Sequence, residues 1–418
     1  MTISSISARE VRAALLLRRE LALFDLGNED TFAKDHPLFA SQLDVEHAHA
    51  QLPARLPRRD APVVLYDRGE GAVEKAAAVL RELGHTHVYR LQGGLHGWRS
   101  EGYELFQDVN SYSKAFGELV ESRRHTPSVS AEQLQQLLDS GADLAVLDAR
   151  RFDEYNTMSI PSGTSVPGAE LVLRARELAP DPKTTVVVNC AGRTRSIIGA
   201  QSLINAGLPN KVVALRNGTI GWTLAGQKLE HGQTRKVPQV RKQFAAEARE
   251  RARTVAYRAG VKRIGSVELA QLQDDATRTL YRFDVRTPEE YAEAHLPGFR
   301  STPGGQLVQE TDMVAPVRGA RIVLSDLAAP GEEALGVRAD MSASWLAQLG
   351  WEVYVLSDAA EARESGNAPV IPRDNAGRYK RPYEGTDNPR AAMQAYLEWE
   401  YGLVAQLARD GSHGFYVI

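Results

Sequence analysis

The sequence predicts an α/β protein: three tandem units, each a mainly parallel central sheet with helices on both faces, and then a C-terminal tail with one helix. Two observations carry this reading. The first is internal repetition. Apolar runs close on aspartate at Leu23-Phe24-Asp25, Val146-Leu147-Asp148 and Arg282-Phe283-Asp284. In each case a position 42 residues later, occupied by Asp67, Cys190 or Asp326, follows a second apolar run. The second observation is alternation. Strand-like and helix-like stretches succeed one another throughout, which is the signature of crossover connections and parallel pairing.

Each element has its own justification. A helical pattern opened by a small polar residue precedes each aspartate run, at Ser7 to Leu17, Ser130 to Leu138 and Ser266 to Leu272. The second runs, Val63 to Tyr66, Val186 to Asn189 and Ile322 to Ser325, read as buried strands. A helix then ends near Gly84, Gly207 or Gly350, where glycine suits a left-handed cap. A further strand follows at Val88 to Leu91, Val212 to Leu215 and Val353 to Leu356. These elements place the units at 1–107, 126–233 and 262–365.

The connecting segments differ from the units. Residues 108–126 carry Ser, Lys, Glu and Arg around Phe116 and Leu119 and lead into the second unit. The linker 234–261 sets Val240, Phe244, Ala248, Ala252 and Val255 at helical spacing, as a surface helix packed between units does. In the tail, 366–418, the stretch 366–387 is rich in Gly, Pro, Asn and charge and is expected to be irregular. Asn388-Pro389 then starts a helix. The final Phe415-Tyr416-Val417-Ile418 is too apolar to float, and is expected to dock on a neighbouring domain or on a second subunit of a homo-oligomer.

Composition narrows the function class. The chain has 418 residues, 43% of them apolar, and a net charge of −3, with acids and bases interspersed. There is no basic tract with interleaved aromatics, so no nucleic-acid partner is expected. No run approaches membrane-spanning length and none forms a signal-peptide core, so no membrane association and a cytoplasmic location are expected. A single cysteine excludes an intramolecular disulfide, a CxxC redox pair and a cysteine-based zinc site. No metal or cofactor is called for.

That cysteine, Cys190, sits where a buried strand should end and a short loop, Ala191-Gly192-Arg193-Thr194-Arg195-Ser196, should lead into a helix. Loop N–H groups can converge there on an anion, and the helix N-terminus adds partial positive charge. Arg193 and Arg195 add two full charges. All three effects favour a thiolate, so the Cys190 pKa is expected to be lowered. A lone cysteine is often inert packing, but packing has no need of a basic loop.

Taken together, these residues resemble the rhodanese family of sulfurtransferases, weakly in all three units and best in the middle one. The middle unit carries Asp148-Ala149-Arg150 with Glu154-Tyr155, Ile160-Pro161-Ser162-Gly163 with Val166-Pro167-Gly168, the loop Cys190 to Ser196, and Gly218-Thr219-Ile220-Gly221-Trp222. The resemblance implies that Cys190 accepts a sulfane sulfur as a persulfide and that the main-chain N–H groups of Ala191, Gly192, Arg193, Thr194, Arg195 and Ser196 cradle it. Asp148, Arg150 and Glu154 are expected to be structural, with Arg150 and Glu154 pairing across a helix start. Trp222 is expected to pack. The first unit has Asp67 and Gly27 where the second has Cys190 and Arg150; the third has Asp326 at the cysteine position and lacks the Gly-x-x-Gly-Trp stretch. Both resemble the family's inactive copies. Ser159 stands where the family often has His and the third unit has His295.

The implied reaction is double displacement. Thiolate Cys190 takes sulfur from a small anionic donor such as thiosulfate and passes it to cyanide or a thiol, with Arg193 and Arg195 attracting the donor. Two rival readings exist. A cysteine phosphatase places arginine six residues after cysteine, where this chain has Ser196. A non-catalytic scaffold or sulfur-relay binding protein would account for two cysteine-less units out of three.

Overall fold

The β-branched runs lie at the centre of three sheets. In the computed structural model, residues 3–327, 336–358, 362–372, 377–381 and 383–418 are described. The middle sheet runs Ser128–Val129, Val212–Leu215, Thr185–Asn189, Leu144–Asp148, Thr164–Ser165, with every pair parallel. The third repeats that order with Lys262–Ile264, Glu352–Leu356, Arg321–Ser325, Leu280–Asp284 and Arg300–Ser301. The first does so with Ser4–Ile6, Val88–Leu91, Val63–Tyr66, Leu21–Asp25 and Ala40–Gln42. The expected strands are thus the central ones. The short edge strands lack enough residues to show a pattern in the sequence.

Local chemistry explains the helix starts. Ser7 and Ser130 each accept from the backbone three residues on, and Glu10 and Gln133 reach back to complete capping boxes. In the third unit the cap position falls on Gly265 and Ser266 is already helical. Its N–H donates to Asp358 instead.

Two connections differ from expectation. The first sheet gains an antiparallel partner from the third unit, Val317–Arg318, which pairs with Ala22 and Leu21 and covers an otherwise open edge. The connector 108–126 folds as a helix, Ser111–Arg124, whose residues 111–113 and 115–120 are buried between the helices Thr194–Asn205 and Pro389–Asp410. Its polar residues find their partners on distant segments, which no local pattern shows. The linker forms the helix Lys242–Arg258, which buries Phe244, Ala248, Ala252 and Val255 between Leu171–Leu178 and Val337–Gln348, while Val240 precedes the helix and is half-buried.

The tail docks on its own chain. Phe415 meets Tyr112 and Phe116 edge-on at 5.2 and 5.4 Å, and the Tyr416 N–H donates to the Gln348 carbonyl at 3.0 Å. Of the apolar residues that suggested docking, Phe415 is buried against the chain itself, Val417 and Ile418 are half-buried, and Tyr416 stays exposed. Among the described residues, no helix is long and apolar enough to cross a membrane.

Phe415 is 9% exposed whereas Tyr257 is 82% exposed. Phe415→Ala should therefore cost about 3 kcal/mol, within the range for deleting a buried aromatic, and Tyr257→Ala close to nothing; urea melts of the two variants check this.

Candidate active site around Cys190

The site is built on a charged clasp at the end of the strand that closes on aspartate in each unit. Asp148 is buried and accepts from the Arg150 N–H at 3.1 Å, from Arg150 Nε and Nη2 at 2.9 and 2.7 Å, and from Asn189 Nδ2 at 3.0 Å. Arg150 Nη2 also donates to the Met158 carbonyl at 2.6 Å. Arg150 therefore does not pair with Glu154, contrary to expectation: its planar fork is already committed two residues back. Glu154 instead takes Arg195 as a bidentate partner at 2.7 and 2.9 Å. Burial disfavours the Glu154 charge, but Arg195 outweighs it and holds the carboxyl down at about 2.

The outer units repeat this plan with changed parts. In the third, Arg286 clasps Asp284 at 2.6 Å, and Arg338, the second residue of its helix, pairs with Glu290 at 2.6 Å. In the first, Gly27 leaves the clasp without its usual arginine. Arg68 replaces it from the loop, its Nη1 lying 2.9 Å from both Asp25 oxygens. A Cβ on Gly27 would come within 3.1 Å of that nitrogen.

Cys190 lies at the mouth of the strand Thr185–Asn189, just before the helix Thr194–Asn205, as expected, and is 2% exposed. Its carbonyl and that of Ala191 accept from the N–H groups of Thr219 and Ile220, both at 2.9 Å. A trans peptide opposes C=O and N–H, so the Ala191 and Gly192 N–H groups point away from the helix Gly218–Leu224. The close approach explains Gly218, where a Cβ would lie 2.2 Å from the Cys190 carbonyl oxygen. The Cys190 thiol donates to Ser196 Oγ at 3.5 Å, and Ser196 Oγ donates to the Arg193 carbonyl at 2.8 Å.

The expected lowering of the Cys190 pKa is not what this environment produces. Burial pushes the thiol up; the Arg195 charge and the Ser196 hydrogen bond pull against it without overcoming it. The two loop arginines are also not free cations. Arg193 is clamped by Glu118 at 2.7 and 2.8 Å and covered by the Tyr401 ring at 4.0 Å, while Arg195 is bound to Glu154. Trp222 is packing, as expected, with its Nε1 donating to the Lys228 carbonyl at 2.9 Å.

A cavity of about 280 Å³ opens over Cys190, lined by the whole loop from Ala191 to Arg195. Ser196 is not on its wall and acts on the thiol from below. Arg151, Glu154 and Ile220 of the same unit add to the wall, and the remainder comes from elsewhere, including Lys114 of the connector helix, Gln306 and Gln309 of the third unit, and Tyr379, Tyr396 and Glu400 of the tail. Sequence reasoning missed all of these, and also Glu118. No local motif marks them, because each belongs to the site only through tertiary packing.

The outer aspartates engage backbone donors of their own units. Asp67 accepts from the N–H groups of Gly69 and Val73 at 3.1 and 3.3 Å. Asp326 accepts from those of Arg338 and Ala339 at 2.9 and 3.2 Å. Each uses backbone donors near a helix start that a bound anion would otherwise take.

Comparison with known proteins agrees with this architecture. The rhodanese-like domain family matches residues 7–101 and 130–225. A crystal structure of a thiosulfate sulfurtransferase from Pseudomonas aeruginosa superposes with a TM-score of 0.94 and 49% identity, covering 100% of both chains. A curated thiosulfate sulfurtransferase of Pseudomonas aeruginosa is 31% identical over 170 residues, 36% of this chain and 62% of its own. The putative sulfur carrier protein YrkF of Bacillus subtilis is 30% identical over 103 residues, 25% of this chain and 54% of its own. The chain thus spans less than two thirds of the length of these curated relatives. With the family's sheet repeated in tandem and its cysteine loop kept in the middle copy, the chain belongs to the rhodanese family.

Proposed function

We propose that this protein is a sulfurtransferase that moves a sulfane sulfur from thiosulfate or a similar anion to a thiol or cyanide, through a persulfide on Cys190. The observation that carries the reading is the position of Cys190: the chain's only cysteine, at the floor of a cavity, beside loop N–H groups and a helix start. Whole-length likeness to a solved Pseudomonas thiosulfate sulfurtransferase supports the choice of donor. In the first half-reaction the Cys190 sulfur attacks the outer sulfur of the donor and sulfite leaves. In the second, the acceptor attacks the outer sulfur of the persulfide and frees Cys190. The loop from Ala191 to Ser196 holds the sulfur anion through its N–H groups, and Arg195 supplies the nearest positive field. Residues 126–233 carry the chemistry, and the aspartate-bearing units at 1–107 and 262–365 support it.

The scaffold reading keeps one specific observation in its favour: both outer aspartates already occupy backbone donors near a helix start. A thiosulfate:cyanide assay of the purified protein separates it from the enzyme reading. Thiosulfate should add one sulfur, about 32 mass units, to the peptide holding Cys190, and dithiothreitol should remove it. Cys190→Ala should abolish turnover, whereas Asp67→Asn and Asp326→Asn should leave it nearly intact and cost at most about 1 kcal/mol in melting experiments.

The two arginines should separate in kind. Arg195→Gln removes the largest charge opposing burial of the thiol, so the pH profile of Cys190 alkylation should move upward. Arg193→Gln strands the buried Glu118 and should instead cost about 3 kcal/mol of stability, with a smaller shift of that profile.

A further inference from the structure

The cavity over Cys190 contains a second group that the persulfide chemistry described above does not use. Glu400, on the C-terminal helix Pro389–Asp410, is 1% exposed and lies outside the cysteine-bearing unit. Its Oε1 accepts from the Tyr396 hydroxyl at 3.0 Å. Its Oε2 is buried and has no hydrogen-bond partner among the described residues. That oxygen rests against the cysteine loop: a Cβ on Gly192 would be 3.2 Å from it. Glycine here lets the carboxyl approach to within two residues of the nucleophile. An unpartnered buried oxygen is costly to keep, and at this place it faces a cavity it shares with Cys190.

We propose that Glu400 is the base of the Cys190 site, taking the thiol proton as the sulfur attacks the donor. The inference rests on the persulfide reading of Cys190. The need for a base follows from the enclosure: burial strengthens the thiol's hold on its proton, and Arg195, the cation that opposes this most, is already committed to Glu154, so a group in the cavity that can receive the proton assists the attack.

The groups facing Glu400 set its affinity for that proton. Burial pushes it up, Lys114 of the connector helix pulls it down, Glu118 of the same helix pushes it up, and Tyr396 and Arg193 pull it down, leaving it at about 7. Near neutral pH the carboxylate is therefore available and its conjugate acid is not strongly disfavoured.

The step balances. The S–H bond of Cys190 breaks and an O–H bond forms on Glu400. The sulfur electron pair attacks the outer sulfur of thiosulfate, whose S–S bond breaks, and that pair leaves on sulfite. The proton stays on Glu400 beside the persulfide anion. When an acceptor thiolate attacks the outer sulfur, the Cys190 sulfur leaves with the bonding pair and recovers the proton from Glu400.

The test is the pH profile of sulfite release in a single turnover of the full chain with thiosulfate. In the parent the rate should rise through a limb near pH 7. Glu400→Gln should lose that limb and fall about 100-fold at pH 7.5, the usual scale of lost base catalysis. The opposite sign is equally informative: Glu400 also opposes the thiolate by its charge, so a merely electrostatic bystander gives an unchanged or faster rate in Glu400→Gln. That outcome overturns the proposal. Tyr396→Phe guards against a folding artefact. It removes a hydrogen bond that favours the Glu400 carboxylate, so the limb should move to higher pH with its plateau kept; an unmoved limb also overturns the proposal. A parent that releases no sulfite at any pH refutes the sulfurtransferase reading instead, which keeps the two failures distinct.

Discussion

Everything in the cysteine-bearing unit depends on the clasp between Asp148 and Arg150. The clasp ties the end of one strand to the end of the next through Asn189, the residue immediately before Cys190. Because Arg150 is held there, Glu154 is left for Arg195, and that pair orients the first turn of the helix after the cysteine loop. Remove the clasp and the loop loses both of its fixed ends. The third unit keeps the same two ion pairs around a longer loop. The first rebuilds the clasp from the other side with Arg68. Equivalent aspartates, Asp148 and Asp25, are met by arginines from different places in their units, so the buried charge needs a guanidinium, whichever residue supplies it.

The fold was legible because its signals are local. Three runs ending on aspartate, a constant spacing and glycine stops at Gly84, Gly207 and Gly350 all follow from short stretches of chain. Cys190 and its loop were legible for the same reason. The partners of that loop were not. Glu118 and Lys114 belong to a segment that reads as a polar connector, and its burial is decided by helices that begin at Thr194 and Pro389. The Arg150–Glu154 pairing was misread because helical spacing says who can meet, not who is already engaged. The thiol's environment was misread for a related reason: counting nearby charges overlooks their counter-ions, and both loop arginines carry one.

The cavity over Cys190 is a joint product of the chain. Its floor belongs to the middle unit, its walls to the connector, the third unit and the tail. Such an arrangement makes the electrostatics around Cys190 a property of several segments at once. The cysteine-less third unit supplies part of that enclosure through Gln306 and Gln309. Gly304 and Gly305 illustrate this support: a Cβ on either would collide with the third unit's own Ser342 or with the turn at Gly168 and Ala169 of the middle unit.

The antiparallel strand that the third unit lends to the first has a consequence for synthesis. The edge at Leu21 and Ala22 can be covered only after Val317 and Arg318 have emerged from the ribosome. At ordinary elongation rates that interval is roughly 15–60 s, far longer than a small domain needs to collapse. During it the nascent first unit carries an unpaired, apolar sheet edge of the kind that recruits other chains. The first sheet is therefore completed only when the third unit has been made, so the two units cannot mature independently of one another.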